Sequence, residues 1–247
     1  ENGRRIAYEK VPGQGPGVVF LGGFCSDMQA TKALHLQNWA EKTGRAYLRF
    51  DYSGHGQSSG TFTDGCIGDW AADAAAVIAA QTTGPQILLG SSMGGWISLI
   101  LATQLQDKIA GIVGISTAPD FTEDSMWAGF SALQRQQLMD DGQLELPSEY
   151  PEPYIITRRL IEDGRRHLVL RRPLDLPFAT RFLHGTGDSS VNISVPLRLL
   201  EHASGEDIRL TLVKGADHSF SSPQCLLLIE KTLQKVIARA GINAHTE

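Results

Sequence analysis

One serine of the chain has neighbours that are typical of a catalytic nucleophile. Ser92 is the central residue of Gly90-Ser-Ser-Met-Gly94, which matches the pattern G-x-S-x-G. A strand-like apolar run precedes the motif and a helix-like stretch follows it, which predicts a tight strand-to-helix turn at Ser92. Flanking glycines suit such a turn because they let neighbouring backbones approach closely. The alternative interpretation is a turn of small residues that carries no chemistry.

A serine hydroxyl is a weak nucleophile, so it needs a base, and the base needs a group that orients it. The candidate base is His218, which follows the last strand-like run, and the candidate orienting acid is Asp188, which follows an earlier run. The order serine, acid, histidine is the one expected for a nucleophile in a strand-to-helix turn. Asp120 is the alternative acid, whereas Asp217 is interpreted as a turn residue beside His218.

Attack by Ser92 on an acyl group would create negative charge on the carbonyl oxygen, which two preorganised N–H groups must stabilise. We expect one donor to be the backbone N–H of Met93, directly after the nucleophile. The second is assigned to the backbone N–H of Phe24, in the loop that follows Gly22-Gly23. A simple turn at these glycines is the alternative.

The elements that would position these residues alternate along the chain. Six short apolar runs are separated by longer stretches with helical periodicity. Continuous apolar runs are typical of buried parallel strands, and their alternation with helices predicts an α/β fold with a mostly parallel, doubly wound sheet. Strands are predicted at 17–21, 46–50, 86–89, 109–115, 180–183 and 208–213, and helices at 30–41, 69–80, 92–106, 196–202 and 223–240.

The alternation is interrupted between residues 118 and 178, which hold six of the 11 prolines and no clear strand pattern. We expect this segment to be a small cap, inserted before the strand that leads to Asp188, on a core formed by residues 1–117 and 179–247. Within it, six arginines between Arg158 and Arg172 could attract an anionic leaving group. A solvated charged face is the alternative interpretation.

Apolar side chains of the predicted cap are candidates to line a substrate pocket, together with a cysteine beside Phe24. Packing of the cap onto the core is the alternative for each of the cap residues. The candidates are Cys25, Trp127, Phe130 and Tyr154, with Leu133 and Tyr150 as further options.

Composition excludes several other classes of protein. The 247 residues carry a formal net charge of −5, which disfavours nucleic-acid binding. Three widely spaced cysteines form no disulfide framework or zinc pattern, and His184 with Asp188 lacks a third metal ligand. The glycine-rich loop after Asp51 departs from the dinucleotide-binding spacing. We therefore expect no cofactor, no metal and no transmembrane segment, and a cytoplasmic protein that acts on a small-molecule or acylated substrate.

These motifs resemble those of the α/β-hydrolase superfamily over nearly the whole chain, least within residues 118–178. Within it, the chain is similar to the family of mitochondrial depalmitoylating thioesterases and acyl-glucuronide esterases and its bacterial relatives, and we expect a bacterial member. The stretches that carry the resemblance are Thr31-Lys-Ala-Leu34, Arg49-Phe-Asp-Tyr-Ser-Gly54, Gly54-His-Gly-Gln-Ser58, Gly84-Pro-Gln-Ile-Leu-Leu-Gly-Ser-Ser-Met-Gly-Gly-Trp96, Leu183-His-Gly185 and Asp217-His218.

The resemblance implies Ser92, Asp188 and His218 as a catalytic triad, with activity on acyl esters or thioesters. The expected function is a cofactor-independent serine hydrolase that works through an acyl-enzyme intermediate. An acyltransferase or perhydrolase on the same scaffold is one alternative. A catalytically silent binding protein with this fold is another, because a fold alone does not define a function.

Overall fold

The computed structural model describes residues 3–146 and 153–243. Seven of its strands form a central sheet in the order β1-β3-β2-β4-β5-β8-β9, and β6 pairs with β7 in a separate two-stranded sheet. In chain order the strands are β1 Tyr8–Val11, β2 Gln14–Leu21, β3 Arg45–Phe50, β4 Gln86–Ser91, β5 Ile109–Ile115, β6 Gln143–Leu146, β7 Tyr154–Thr157, β8 Thr180–Gly185 and β9 Ile208–Val213.

The central sheet is parallel except at one edge, where β1 pairs antiparallel with β3. Apolar layers cover both of its faces, as a buried parallel sheet requires. Helices α1 and α7 pack on one face, and α2 and α3 pack on the other. In chain order the helices are α1 Thr31–Thr43, α2 Ile67–Gln81, α3 Met93–Gln104, α4 Ala132–Asp141, α5 Arg158–Gly164, α6 Ser194–His202 and α7 Pro223–Asn243.

The doubly wound parallel sheet confirms the predicted fold class, and three local predictions were wrong. Strand β1 was not predicted, because most of its residues are exposed and its sequence has no apolar run. Strand β2 begins at Gln14, three residues before the predicted strand 17–21. Residues 118–178, predicted to hold no strand, contain β6 and β7, which are short strands with only two buried side chains between them.

Residues 118–178 lie in the chain between β5 and β8, and we call them the inserted segment. Its described part holds a π-helical stretch (Thr122–Trp127), α4, the β6–β7 pair and α5. Two polar contacts fasten it to the core: the Gly68 N–H donates to Asp163 Oδ1 at 2.7 Å, and Trp96 Nε1 donates to the His167 carbonyl at 3.1 Å. Both contacts join the inserted segment to the first turns of α2 and α3.

No helix within residues 3–146 and 153–243 is long and apolar enough to cross a lipid bilayer.

Candidate active site

Ser92 occupies a sharp turn between β4 and α3. Its backbone has φ 53° and ψ −115°, a conformation that side-chain-bearing residues rarely adopt. The flanking glycines make this turn possible. A Cβ at Gly90 would lie 2.3 Å from the Gly94 carbonyl oxygen, and a Cβ at Gly94 would lie 2.0 Å from the Leu21 carbonyl oxygen. Close backbone packing therefore requires glycine on both sides of Ser92, at Gly90 against the start of α3 and at Gly94 against the end of β2.

Three loops at the carboxyl ends of parallel strands bring Ser92, His218 and Asp188 together. His218 Nε2 lies 3.1 Å from Ser92 Oγ, and His218 Nδ1 lies 2.8 Å from Asp188 Oδ2. The loops after β8 and β9 are joined as well, since the Gly187 N–H donates to the Ala216 carbonyl at 2.9 Å. This edge of an open α/β sheet is where ligands of such folds bind.

The Asp188 carboxylate is fully buried, at 0% side-chain exposure, and both its oxygens accept hydrogen bonds. Oδ1 accepts from the N–H groups of Ser190 and Val191 at 2.9 and 2.8 Å. Burial alone would raise the pKa of Asp188, but hydrogen bonds from His218, Val191 and Ser190 outweigh it and lower the pKa. His184 Nε2 lies 3.1 Å from the Val191 carbonyl, so this histidine supports the same loop.

Both carboxylate oxygens of Asp120, the alternative acid, accept hydrogen bonds from groups other than His218. Its Oδ1 accepts from the Val169 N–H at 2.8 Å, and its Oδ2 accepts from the Leu170 N–H at 3.1 Å and from Arg171 at 2.8 Å. Asp120 thus ties the start of the inserted segment to its end. Because Asp120 is buried and its carboxylate accepts from three residues of the inserted segment, we interpret it as a structural residue.

The loop that carries Phe24 runs beside the nucleophile. A Cβ at Gly23 would lie 3.6 Å from the Cβ of Ser92, which measures how closely the two backbones approach. Phe24 and Ser92 line the same cavity, and Met93 is buried at the start of α3. The closeness of the Phe24 loop to Ser92 and the position of Met93 directly after Ser92 are compatible with the predicted pair of N–H donors.

Two buried charged side chains anchor this loop at Met28, four residues after Phe24. The Met28 N–H donates to Asp51 Oδ1 at 2.6 Å, and the Met28 carbonyl accepts from Arg49 at 2.7 Å. Asp51 also accepts from the Gln57 N–H at 2.8 Å, within the glycine-rich loop. The departure of this loop from the dinucleotide-binding spacing was visible in the sequence, whereas its contact with the Phe24 loop was not predicted.

A cavity of about 700 Å³ opens beside Ser92 and His218. Its lining side chains fall into two chemical sets. The apolar set, which we call the apolar wall, comprises Phe24, Ala118, Pro119, Phe121, Met126, Leu146, Tyr154 and Ile156. The polar set, which we call the polar wall, comprises Asp124, Ser125, Ser189, Ser190, Asn192 and Ser194; Val191 and Val195 lie among the latter in the sequence.

Of the four predicted pocket residues, Tyr154 lines this cavity, whereas Cys25, Trp127 and Phe130 are not among the residues that line it. Cys25 is exposed, and its backbone has a positive φ of 54°. Phe130 is buried and packs in the hydrophobic core, with its ring 6.4 Å from that of Trp127. The Trp127 ring is covered by Arg165 at 4.5 Å.

The remaining options also lie away from the cavity. Leu133 is 79% exposed on α4, and Tyr150 lies outside the described residues. Arg165 contacts Glu123 at 2.7 Å, so its charge has a partner within the inserted segment. None of the arginines from Arg158 to Arg172, all of which are described, lines the cavity. Their predicted attraction for an anionic leaving group therefore has no support at this site.

The contribution of the β6–β7 pair to the cavity lining was not predicted. Its signal was the alternation of Gln143-Leu-Glu-Leu146, in which every second residue is apolar. The serine-rich stretch after Asp188 was likewise visible but was not recognised as a cavity wall.

Comparisons with known proteins agree with this architecture. Residues 16–153 match the family model described as the alpha/beta hydrolase fold. The chain is 31% identical over 245 residues to the Bos taurus protein named palmitoyl-protein thioesterase ABHD10, mitochondrial, covering 97% of this chain and 79% of that protein. The Homo sapiens protein of the same name is 31% identical over 237 residues, with 94% of this chain and 76% of that protein covered.

Solved structures show the same likeness. A crystal structure of a protein from Agrobacterium vitis S4 superposes with a TM-score of 0.91 at 38% identity, covering 95% of this chain and 94% of the other. Mouse alpha/beta hydrolase domain-containing protein 10 superposes with a TM-score of 0.87 at 29% identity, covering 94% of each chain. The fold, the matched region and these relatives together establish that the chain belongs to the α/β-hydrolase family.

Proposed function

We propose that the protein is a serine hydrolase that cleaves carboxylic esters or thioesters through an acyl-enzyme intermediate. The observation that carries the proposal is the hydrogen-bonded line from Ser92 Oγ through His218 to Asp188, at 3.1 and 2.8 Å, beside a large cavity. A serine hydroxyl, an imidazole and a buried carboxylate in this order are the groups that acyl transfer to serine requires.

In the first half-reaction, Ser92 Oγ attacks the acyl carbon while His218 Nε2 accepts the hydroxyl proton. Asp188 stabilises the resulting imidazolium through its contact with Nδ1. The tetrahedral oxyanion is stabilised by the backbone N–H groups of Phe24 and Met93. His218 then passes its proton to the departing alkoxide or thiolate, which leaves as an alcohol or thiol.

In the second half-reaction, water replaces the leaving group. His218 accepts a proton from this water as its oxygen attacks the acyl carbon, and the same proton then returns to Ser92 Oγ as the free acid departs. This cycle restores the enzyme without consuming a cofactor.

The relatives suggest a narrower substrate class. The Bos taurus and Homo sapiens relatives are named palmitoyl-protein thioesterases. Fatty acyl thioesters are therefore the first substrates to test on this chain, with the matching oxygen esters beside them. An acyl-glucuronide esterase-like activity stands beside thioester cleavage in the proposal. The apolar wall of the cavity supports an apolar acyl group in either case.

We also propose that residues 1–117 and 179–247 form the catalytic core and that residues 118–178 form a cap over the cavity. The contribution of Phe121, Met126 and Tyr154 from the inserted segment to the cavity wall supports this division. We propose in addition a bacterial origin and a cytoplasmic location. The mammalian relatives are named mitochondrial, and cell fractionation tests the location.

A fluorophosphonate probe tests the nucleophile directly. We expect covalent labelling of the wild-type protein and of Ser91→Ala, and no labelling of Ser92→Ala. Ser91 is a suitable control because it is the adjacent serine and is buried at the end of β4. Labelling that persists in Ser92→Ala would falsify the proposal. Product analysis with added alcohol or peroxide would then separate hydrolysis from acyl transfer and perhydrolysis.

A further inference from the structure

The β6–β7 pair, which we call the β-ribbon (Gln143–Leu146 and Tyr154–Thr157), has one apolar face. Its strands are antiparallel, with Leu144 opposite Ile156 and Leu146 opposite Tyr154. Successive side chains of a strand point to opposite faces, so these four side chains share one face. Glu145 and Ile155 lie on the other face.

The apolar face of the β-ribbon forms part of the cavity wall. Leu146, Tyr154 and Ile156 line the cavity that contains Ser92 and His218, whereas Ile155 does not line it. Ile156 is fully buried, at 0% exposure, and Tyr154 and Leu146 pack against the hydrophobic core. A molecule in the cavity would therefore meet a continuous strip of hydrocarbon on this side.

This strip connects to the reacting centre through Phe24. The rings of Phe24 and Tyr154 have centroids 6.3 Å apart, and Phe24 lies beside Ser92 on the loop proposed to supply an oxyanion donor. Apolar side chains thus lead from Phe24, in the loop beside Ser92, to Tyr154 of the β-ribbon.

The polar wall is unsuited to an aliphatic chain. It includes the serine-rich stretch from Ser189 to Ser194. Covering the hydroxyl groups of this stretch with hydrocarbon removes them from water, which costs free energy. Asp124, in the same wall, already accepts from Arg171 and Arg198. A leaving group that can form hydrogen bonds would keep the hydroxyl groups satisfied.

We infer that the apolar face of the β-ribbon binds the acyl chain and determines the chain length that the enzyme accepts, with the leaving group on the polar wall. Leu146, Tyr154 and Ile156 are then the specificity-determining residues. The inference rests on the proposed hydrolase function and deepens it by assigning the acyl group a place. Each methylene that the strip covers raises kcat/KM about fourfold.

The test is the ratio of kcat/KM for the octanoyl 4-nitrophenyl ester to that for the acetyl ester. We expect Ile156→Ala to lower this ratio about tenfold, because the chain loses contact with a buried side chain. Ile155→Ala is the matched control, since it makes the same change one residue away on the opposite face. An unchanged ratio in Ile156→Ala, or an equal change in Ile155→Ala, overturns the inference.

A binding measurement separates this inference from the proposed function. Calorimetry of fatty-acid carboxylates of increasing length with Ser92→Ala reports binding without turnover. We expect affinity to rise with chain length, and to rise less when Ile156→Ala is added. If the wild type hydrolyses no ester but this length dependence is found, the proposed function is wrong, and the part of the inference that assigns acyl-chain binding to the β-ribbon stands.

The converse outcome is also decisive. Suppose that esters are hydrolysed, but that Ile156→Ala changes neither the kcat/KM ratio nor the dependence of affinity on chain length. The proposed function then stands and the inference is wrong. Should Ile156→Ala fail to fold, Ile156→Val removes a single methyl group and is expected to give the same direction of change at smaller size.

Discussion

Asp188 Oδ2 lies 2.8 Å from Nδ1 of His218, and the other oxygen of the same carboxylate accepts hydrogen bonds from the Ser190 and Val191 N–H groups. The carboxylate is thus oriented from both sides before any substrate arrives. It directs one imidazole nitrogen toward itself and leaves the other facing Ser92.

The two buried acids Asp188 and Asp120 should respond differently to the same substitution. We expect Asp188→Asn to lower kcat by about 10⁴, because the amide no longer holds the required imidazole tautomer. We expect Asp120→Asn to retain most of kcat but to lower the free energy of unfolding by about 1–3 kcal/mol, since one donor loses its acceptor. Ester hydrolysis and urea unfolding measure the two effects. The reverse pattern would make Asp120 the orienting acid.

The glycine at the second flanking position of Ser92 should tolerate no side chain. A Cβ at Gly94 would lie 2.0 Å from the Leu21 carbonyl oxygen and 2.6 Å from that of Gly22, and backbone atoms cannot move aside cheaply. We expect Gly94→Ala to shift the start of α3 and to lower kcat about 100-fold, with about 1–3 kcal/mol of lost stability.

Gly129→Ala is the control for this prediction. No atom lies within 4 Å of a Cβ at Gly129, so alanine there is expected to leave activity and stability unchanged or slightly improved. Equal activity of Gly94→Ala and wild type would show that the turn around Ser92 is less tightly packed than described.

Asp51 should act on catalysis through the loop that it anchors. Its two oxygens accept from the N–H groups of Met28 and Gln57 at 2.6 and 2.8 Å, so asparagine can satisfy only one of them. We expect Asp51→Asn to lower kcat about tenfold or more with little change in KM, because a shift of the loop would displace the N–H of Phe24, the proposed oxyanion donor.

Asp27→Asn is the matched control, in the same loop. Its exposed carboxylate accepts from the Gln29 N–H through a single oxygen, which an amide oxygen can replace. A fall in kcat that is equal in both variants would indicate general loosening of the loop and would contradict a specific role for Asp51.

The contact between Asp163 and α2 should make stability depend on pH in the acid range. Burial alone would raise the pKa of Asp163, but hydrogen bonds from His167, the Gly68 N–H and the Cys66 thiol outweigh it and lower the pKa to about 2. The folded state therefore binds fewer protons than the unfolded state between about pH 4 and pH 2. Stability contributed by Asp163 is present above this range and is lost as the pH falls through it.

The measurement is the difference in unfolding free energy between wild type and Asp163→Asn as a function of pH. We expect a difference of about 2 kcal/mol at neutral pH, which shrinks as the pH falls from about 4 to about 2. A difference that stays constant over this range would show that the carboxylate charge contributes nothing.

The sequence alone determined the features that depend on local chain chemistry. Mostly apolar runs of four to seven residues predicted the parallel strands, because strands that are covered on both faces are rich in apolar residues. The glycines around Ser92 predicted the strand-to-helix turn that the structure contains. The chain order of Ser92, Asp188 and His218 predicted which residues the sheet edge would bring within hydrogen-bond distance.

The tertiary structure decided what depends on contacts between distant segments. Asp120 and Asp188 both follow predicted strands. Only the fold showed that Asp120 accepts hydrogen bonds from the N–H groups of Val169 and Leu170, whereas Asp188 contacts His218. Likewise Cys25 and Tyr154 were both candidates for the pocket, and only the fold showed that Cys25 is exposed whereas Tyr154, paired with Leu146 of β6, lines the cavity. Local composition cannot encode such choices, because a side chain's direction is set by the register and packing of elements far away in the sequence.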